Sequence, residues 1–445
     1  AVPLRGAELV SARTSDDSGA QRWVGALAGL CTLVLLAATL EIVLDGALGH
    51  SSLVPKSPTI AGWLQGVGER LGFRVFLIAL LTFSAAYGGL LALAGRASAS
   101  RLSARWAIAL VAALNLIVFA GPILLSTDVF SYIAYARMGV VHGINPYLHG
   151  PLAIRGDVVY RYVGSDWRHT ATAYGPLYTL LSYPLALLGF VGALWAMKVW
   201  ALLASAGTLA LTWRCARQRE LNPVPALLAV GANPLYVIYG LGGAHNDLLM
   251  TLFMMGAVSL ALAGRDAPAA ASVLAGALIK VTAVALLPFM VLARRSSAAL
   301  LGALGALVLV ALVSLPVFGL HGLDVVAALN RDAALVSTDS FATEIAHLLG
   351  KPGVFPVDHD LLKLALLAIV VHLLWRTWRG YDLVAASGWT LLAIAVTSTW
   401  LLAWYTLWSL PLAVVSRDRR LLYATLAVQA LFVAHQTAPL FSPVS

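Results

Sequence analysis

Residues 296–320 read SSAALLGALGALVLVALVSLPVFGL, with no Asp, Glu, Lys or Arg among them. Crossing roughly 30 Å of hydrocarbon at 1.5 Å per residue takes about 20 apolar residues in a helix. This stretch is long enough to span a bilayer, and others resemble it. Val24–Leu40, Val75–Gly95, Trp106–Thr127, Leu221–Ala244, Leu248–Gly264 and Leu383–Ser416 are equally free of charge. Backbone amides have no water to bind inside a membrane, so such runs must be helical. The alternating pattern of a membrane barrel is absent. The whole chain agrees: 60% of its 445 residues are hydrophobic and 11% charged, where a soluble domain carries about 25% charged residues. The fold class expected is all-α, a polytopic membrane bundle of about 13 transmembrane helices with two ordered outer loops.

The net charge of +9 raises the question of a nucleic-acid partner, and its distribution answers it. Basic residues gather in short links between apolar runs: Arg96, Arg101 and Arg105; Arg214, Arg217 and Arg219; Arg265; Arg294 and Arg295; Arg376 and Arg379; Arg417, Arg419 and Arg420. Only Glu220, Asp266, Asp382 and Asp418 oppose them. Short basic links mark the cytoplasmic side, so the charge reports topology and anionic headgroups, not nucleic acid. Cys31 and Cys215 fall in separate helical segments and predict neither a disulfide nor a metal site.

This orientation divides the chain into a cytoplasmic tail, 1–22, a transmembrane domain, 23–437, and an outer C-terminal tail, 438–445. The cytoplasmic tail reads as disordered. Three helices, about 23–44, 73–95 and 106–126, bring the chain to the outer face, where two long polar loops follow at about 127–172 and 321–360. Charge parity requires two further features. Arg265–Asp266 and Arg294–Arg295 both belong inside, which predicts two short helices turning near Lys280. The stretch 174–214 must cross an odd number of times, as one long helix or three short ones.

Ionisable groups at membrane depth are costly and usually functional. Asp128, in Ser126-Thr127-Asp128-Val129-Phe130-Ser131-Tyr132, follows the third apolar run. A partly desolvated carboxylate beneath a loop suits a general base; the plain alternative is a surface carboxylate at a helix–loop junction. Gly242-Gly243-Ala244-His245-Asn246-Asp247 sets three polar side chains in a row between two apolar runs, either to bind sugar hydroxyls or orient a base, or as a polar turn. Lys280 stands alone between two uncharged runs and calls for an anion, such as a lipid phosphate, or snorkels to the interface. Lys198 has the same ambiguity, and snorkelling is the simpler reading there. Tyr132, His142, Asn145, Tyr147, Tyr174 and Trp404 are candidate acceptor- or sugar-binding residues, since aromatic faces stack on sugars; interfacial aromatics also form membrane belts.

Taken in order, Thr127-Asp128-Val129-Phe130-Ser131-Tyr132, Asn145-Pro146-Tyr147, Tyr174-Gly175-Pro176-Leu177, Asn233-Pro234-Leu235, the Gly242–Asp247 block, Lys280-Val281-Thr282 and Trp404-Tyr405-Thr406-Leu407-Trp408-Ser409-Leu410-Pro411 resemble the polyprenol-phosphate-mannose-dependent α-1,6-mannosyltransferases of the lipomannan pathway, within the GT-C superfamily. The likeness covers about residues 106–415. It implies a polytopic plasma-membrane enzyme of the cell envelope with an extracytoplasmic site. The implied donor is a polyprenyl-phosphate sugar and the acceptor a glycan or glycolipid hydroxyl. By the same resemblance Asp128 is the base of an inverting transfer, Lys280, His245, Asn246 and Asp247 hold the donor, and no metal or cofactor is expected. The alternatives are a flippase or transporter of a lipid-linked sugar, or a GT-C enzyme with an arabinofuranosyl or glucosyl donor. A transporter would be expected to carry inverted repeats with matching breaks, and none is visible.

Overall fold

The computed structural model describes residues 5–47, 53, 72–95 and 102–441, with side chains of the first helix described from Trp23 onward. Arg96 and Arg101, expected in a cytoplasmic link, and residues 442–445 of the expected outer tail lie outside the described residues. Every regular element among those described is helical. Helix α1 (Arg5–Ala47) extends into the segment expected to be a disordered tail, and its membrane-competent part is Trp23–Ala47. Helices α2 (Phe73–Ala94) and α3 (Ala104–Ala120) pack against it. Then follow α4 (Asp128–Val140), α5 (Pro176–Ala186), α6 (Gly189–Gln218), α7 (Pro223–Gly231), α8 (Asp247–Leu262), α9 (Asp266–Ala277) and α10 (Leu286–Arg294). The last third contains α11 (Ser297–Phe318), α12 (Val325–Asp332), α13 (Phe341–Leu348), α14 (Pro356–Trp378), α15 (Leu383–Thr397), α16 (Leu410–Val415) and α17 (Arg419–Thr437).

Five described helical stretches are long and apolar enough to cross a bilayer: Trp23–Ala47, Phe73–Ala94, Gly189–Gln218, Ser297–Asp332 and Arg419–Leu440. The remaining apolar sequence is cut into shorter helices, and the expected count of about 13 transmembrane helices is not reproduced among the described residues. Proline and polar residues explain the cuts. Gly121-Pro122 stops α3 at Ala120, short of the expected 126, because proline has no amide to continue the ladder. Asn233-Pro234 breaks the run 221–244 into α7 and a π-helical segment, Leu235–Leu241, bent by 49°. The turn expected near Lys280 is present, with α9 and α10 on either side of it. Between 174 and 214, one long helix, α6, follows the short α5.

The charged links gather at one end of the bundle. Arg219, after α6, pairs with Asp382, which caps α15, at 2.7 Å. Arg417, before α17, donates to the Arg219 carbonyl at 3.3 Å. Arg294, ending α10, pairs with Asp266, starting α9, at 2.7 Å. Helices α8, α9 and α15 start or finish at this charged end and reach the opposite end at Asp247, Lys280 and Ser398 respectively. At 15 residues, α15 rises about 22 Å between them. The outer surface of α11 is what a lipid environment demands: Leu301, Leu309 and Leu312 are 67%, 64% and 67% exposed.

Candidate active site

The break after α3 creates the first half of the site. Beyond Gly121 the chain runs outside any helix to Thr127, and Asp128 begins α4. Asp128 therefore does not trail a spanning helix, as the sequence suggests, but sits at the positive end of a new one, where a carboxylate is favoured. Three contacts hold the connecting segment. The Leu124 amide donates to the Gly242 carbonyl at 2.9 Å, and the Leu125 amide to the Leu53 carbonyl at 2.7 Å. Lys198 of α6 donates to the Gly121 carbonyl and lies 4.2 Å from the Trp195 ring centre. Lys198 is 5% exposed; it does not snorkel, but satisfies a carbonyl left over at the end of α3.

The second half follows from Asn233. This buried amide accepts from the Leu235 and Tyr236 amides and donates to Tyr87 and to Gln429 of α17, so it fixes the bend. The π-helical turn then delivers Gly243 and Ala244, the latter at φ +50°, and His245, Asn246 and Asp247 open α8 side by side. A side chain at Gly243 would meet the His245 ring at 2.5 Å, so glycine there is what lets the imidazole pack. His245 stacks on Trp404, ring centres 3.7 Å apart, and its Nδ1 lies 3.4 Å from Asp128 Oδ2. Asn246 Oδ1 accepts from the Tyr132 hydroxyl at 3.3 Å. Tyr132 is itself packed edge-on against Tyr174 and Tyr178.

Lys280 completes the site. Helix α9 ends at Ala277, and its trailing carbonyls find donors on a neighbour: Leu278 accepts from the amides of Leu177 and Tyr178, and Ile279 from that of Gly175. A Cβ on Gly175 would stand 2.1 Å from the Leu278 oxygen, so only glycine permits this approach. The anion that Lys280 requires is supplied from within the protein. Its Nζ donates to Asp247 Oδ1 at 2.7 Å and Oδ2 at 3.0 Å, and Trp408 Nε1 donates to the same Oδ1 at 2.6 Å. The ammonium also lies 4.6 Å from the Tyr405 ring centre and 5.2 Å from that of Trp408.

Asp128, Tyr174 and Lys280 line one cavity of about 260 Å³, together with Tyr405, Trp408 and Asp332. Asp128 also borders a second recess of about 370 Å³, with Thr127, Leu402 and Trp404. Trp167 and Trp400 line both, edge-to-face with ring centres 6.1 Å apart, and stand between the two. Asp332 gives no signal in the sequence, because an acid in the second loop looks like its neighbours Asp324 and Asp339. Trp167 gives none beyond being one aromatic in the first loop.

Of the predicted ligands, Tyr132, His245, Asn246 and Asp247 are buried and line neither recess; His142, Asn145 and Tyr147 lie on neither wall either, and their polar atoms brace the first loop. Asn145 Nδ2 donates to the Phe318 carbonyl at the end of α11, and the Tyr147 hydroxyl to the Tyr174 carbonyl. His142 and Arg137 both bind Asp157, at 2.7 and 2.8 Å. Burial acts to raise the Asp157 pKa, but the hydrogen bonds from Arg137 and His142 outweigh it and hold the carboxyl down at about 2, against an ordinary 3.8. A depressed carboxylate contributes stability above its unfolded-state pKa and loses it as pH falls through the folded value. Hydrogen-exchange protection of residues 141–160 is therefore expected to persist from neutral pH to about pH 4 and to collapse toward pH 2; in Arg137→Gln the collapse moves up toward pH 4. Loss of protection at pH 5 in the wild type would contradict the clamp.

An all-helical membrane bundle with one carboxylate set between two aromatic-walled recesses at its end is consistent with the GT-C type membrane glycosyltransferase expected from the sequence. Residues 22–296 match the family of alpha-(1->6)-mannopyranosyltransferases, N-terminal domain, and residues 354–439 match the MptB C-terminal domain. The chain belongs to this mannosyltransferase family. It is 25% identical over 422 residues to the alpha-(1->6)-mannopyranosyltransferase A of Mycobacterium tuberculosis, covering 87% of this chain and 80% of that protein. It is 31% identical over 178 residues to the alpha-(1->6)-mannopyranosyltransferase A of Corynebacterium glutamicum, covering 39% of this chain and 36% of the relative. The alpha-(1->6)-mannopyranosyltransferase B of the same organism is 26% identical over 151 residues, 32% of this chain and 24% of that one. No solved structure matches the chain. The membership favours mannose over the arabinofuranosyl or glucosyl donors, and an enzyme over a flippase.

Proposed function

We propose that the protein transfers mannose from a polyprenyl-phosphate mannose to a hydroxyl of a glycan or glycolipid, with inversion, at the extracytoplasmic face of the cell membrane. The observation that carries this reading is the position of Asp128 at the junction of two recesses, one of which contains Lys280. The donor's sugar phosphate enters the Lys280 recess, and the acceptor hydroxyl approaches from the Trp404 side. Asp128 takes the hydroxyl proton as the oxygen attacks the anomeric carbon, and the C–O bond to polyprenyl phosphate breaks with the electron pair leaving on phosphate. Lys280, fixed by Asp247 and lining the recess, stabilises that developing charge. His245 holds the Asp128 side of the site in shape through its stack on Trp404. Tyr174 and Trp404 offer faces for the two sugars. Holding both substrates in register can supply roughly 7–11 kcal/mol of the barrier.

The test of the reaction is direct. Membranes containing the protein, given radiolabelled polyprenyl-phosphate mannose and a synthetic mannoside, are expected to yield an α-linked mannosyl product with the label in the acceptor. Transfer from a nucleotide-linked mannose but not from the lipid donor would overturn the donor assignment.

Orientation is tested separately. The basic links at the end remote from Asp128 support a cytoplasmic placement for that end. In a background lacking Cys31 and Cys215, a membrane-impermeant thiol reagent applied to whole cells is expected to label His149→Cys and Gly353→Cys and to spare Arg419→Cys. His149 is chosen because it is exposed, whereas a side chain at Gly150 would meet the His169 and Thr170 backbone at 2.5 and 2.6 Å. Labelling of position 419 alone would reverse the orientation.

A further inference from the structure

The largest cavity among those described, about 1130 Å³, lies away from Asp128, along the side of α15. Its upper walls are apolar, from Ala368 and Ile369 of α14 and Leu392, Ala393 and Val396 of α15. Its lower rim is at the charged end and has four guanidinium groups, Arg376, Arg417, Arg419 and Arg420, against two carboxylates, Asp382 and Asp418. The two acids leave the rim with a positive excess, since Asp382 is taken by Arg219 and Asp418 offsets one of four arginines. Asp418 accepts from the Tyr381 hydroxyl, Trp389 Nε1 and the amides of Arg420 and Leu421. Among the described residues, Arg419 and Arg420 have no acidic partner, and Arg376 lies over the Tyr381 ring at 3.8 Å without one.

We infer that this groove binds an anionic glycerophospholipid from the leaflet at the charged end, its phosphate among Arg376, Arg419 and Arg420 and an acyl chain along α14 and α15. The shape requires a lipid rather than a free anion. A soluble phosphate would satisfy the rim and leave the apolar channel above it empty. Along the roughly 22 Å rise of α15 the channel accommodates a chain that reaches through about 15 Å, one leaflet's share of the hydrocarbon. A zwitterionic lipid would bring an ammonium that gains nothing from the arginines. The groove shares α15 with the candidate active site, whose wall includes Ile394, Ser398 and Trp400, so a bound chain would brace the helix that positions Trp400. The inference is independent of the role assigned to Asp128.

Native mass spectrometry of the full chain released from detergent micelles, with phosphatidylglycerol and phosphatidylcholine at equal concentration, is the test. The wild type is expected to retain phosphatidylglycerol at least roughly tenfold over phosphatidylcholine. R376A/R419A/R420A is expected to lose that preference, while R376K/R419K/R420K stays within about threefold of wild type. R214A/R217A/R265A removes as many charges from the same end and is expected to change nothing. A368W, which fills the channel from its exposed side without altering charge, is expected to reduce retention of phosphatidylglycerol. Equal retention of the two lipids by the wild type would overturn the inference. So would an equal loss in R214A/R217A/R265A, which would reduce the effect to bulk electrostatics, or full retention in A368W.

Discussion

Asp128→Asn is expected to lower kcat by about 10²- to 10⁴-fold, the usual worth of a general base, while the protein folds and binds donor as before. The asparagine is the same size and still offers an acceptor oxygen toward His245 Nδ1, 3.4 Å away in the wild type. It cannot take a proton. With the side chain 19% exposed and the asparagine oxygen still facing the buried His245, thermal unfolding in detergent should be unchanged. Initial rates with polyprenyl-phosphate mannose and a mannoside acceptor, measured beside the unfolding midpoint, separate catalysis from structure. A kcat loss with unaltered donor KM supports proton transfer at the reacting oxygen. A folded Asp128→Asn protein with near wild-type turnover would sink the mechanism.

The second large effect is expected on stability and activity together. Asp247 is 1% exposed and receives Lys280 and Trp408, so Asp247→Ala leaves a half-enclosed ammonium without its counter-ion. Removing one member of a buried pair costs about 3–5 kcal/mol, and the unfolding midpoint should drop accordingly. The double variant Asp247→Ala/Lys280→Met takes out both charges and should recover much of that stability, because no stranded charge remains. It should not recover transfer, since no cation then faces the donor phosphate. The two readouts identify Asp247 as a positioning residue acting through Lys280. If Asp247→Ala unfolds like the wild type, the pair does not hold the site together.

The class of fold follows from residue pattern without any coordinates. Uncharged runs such as Ser296–Leu320 leave the backbone no option but helix in hydrocarbon, and short basic links record where the helices turn. Even the break at Lys280 is legible. The links Arg265–Asp266 and Arg294–Arg295 belong on the same side, and no single span can both leave and return there. Asp128 and His245-Asn246-Asp247 stand out in the sequence as candidates on related grounds, because polar groups at membrane depth are costly.

Which of these groups meet, and what each one does, follows only from the packing of distant segments. Lys280 reads in sequence as a cation waiting for a phosphate, but its first partner is Asp247, 33 residues away in the chain. Spacing along two separate helices says nothing about how their ends approach. Lys198 has the pattern of a snorkelling lysine, yet the carbonyl at the end of α3 takes its N–H. His142, Asn145 and Tyr147 have the look of sugar ligands because polar and aromatic side chains in a loop serve either purpose; their hydrogen bonds go instead to Asp157, Phe318 and Tyr174. Asp332 and Trp167 enter the site because the two long loops fold over the same helix ends, and Trp400 because it follows α15 at that end. Local pattern dictates what a segment must become in a membrane, since hydrocarbon acts on each residue separately. The meeting of Asp128, His245 and Lys280 depends on long-range packing, which no single segment encodes.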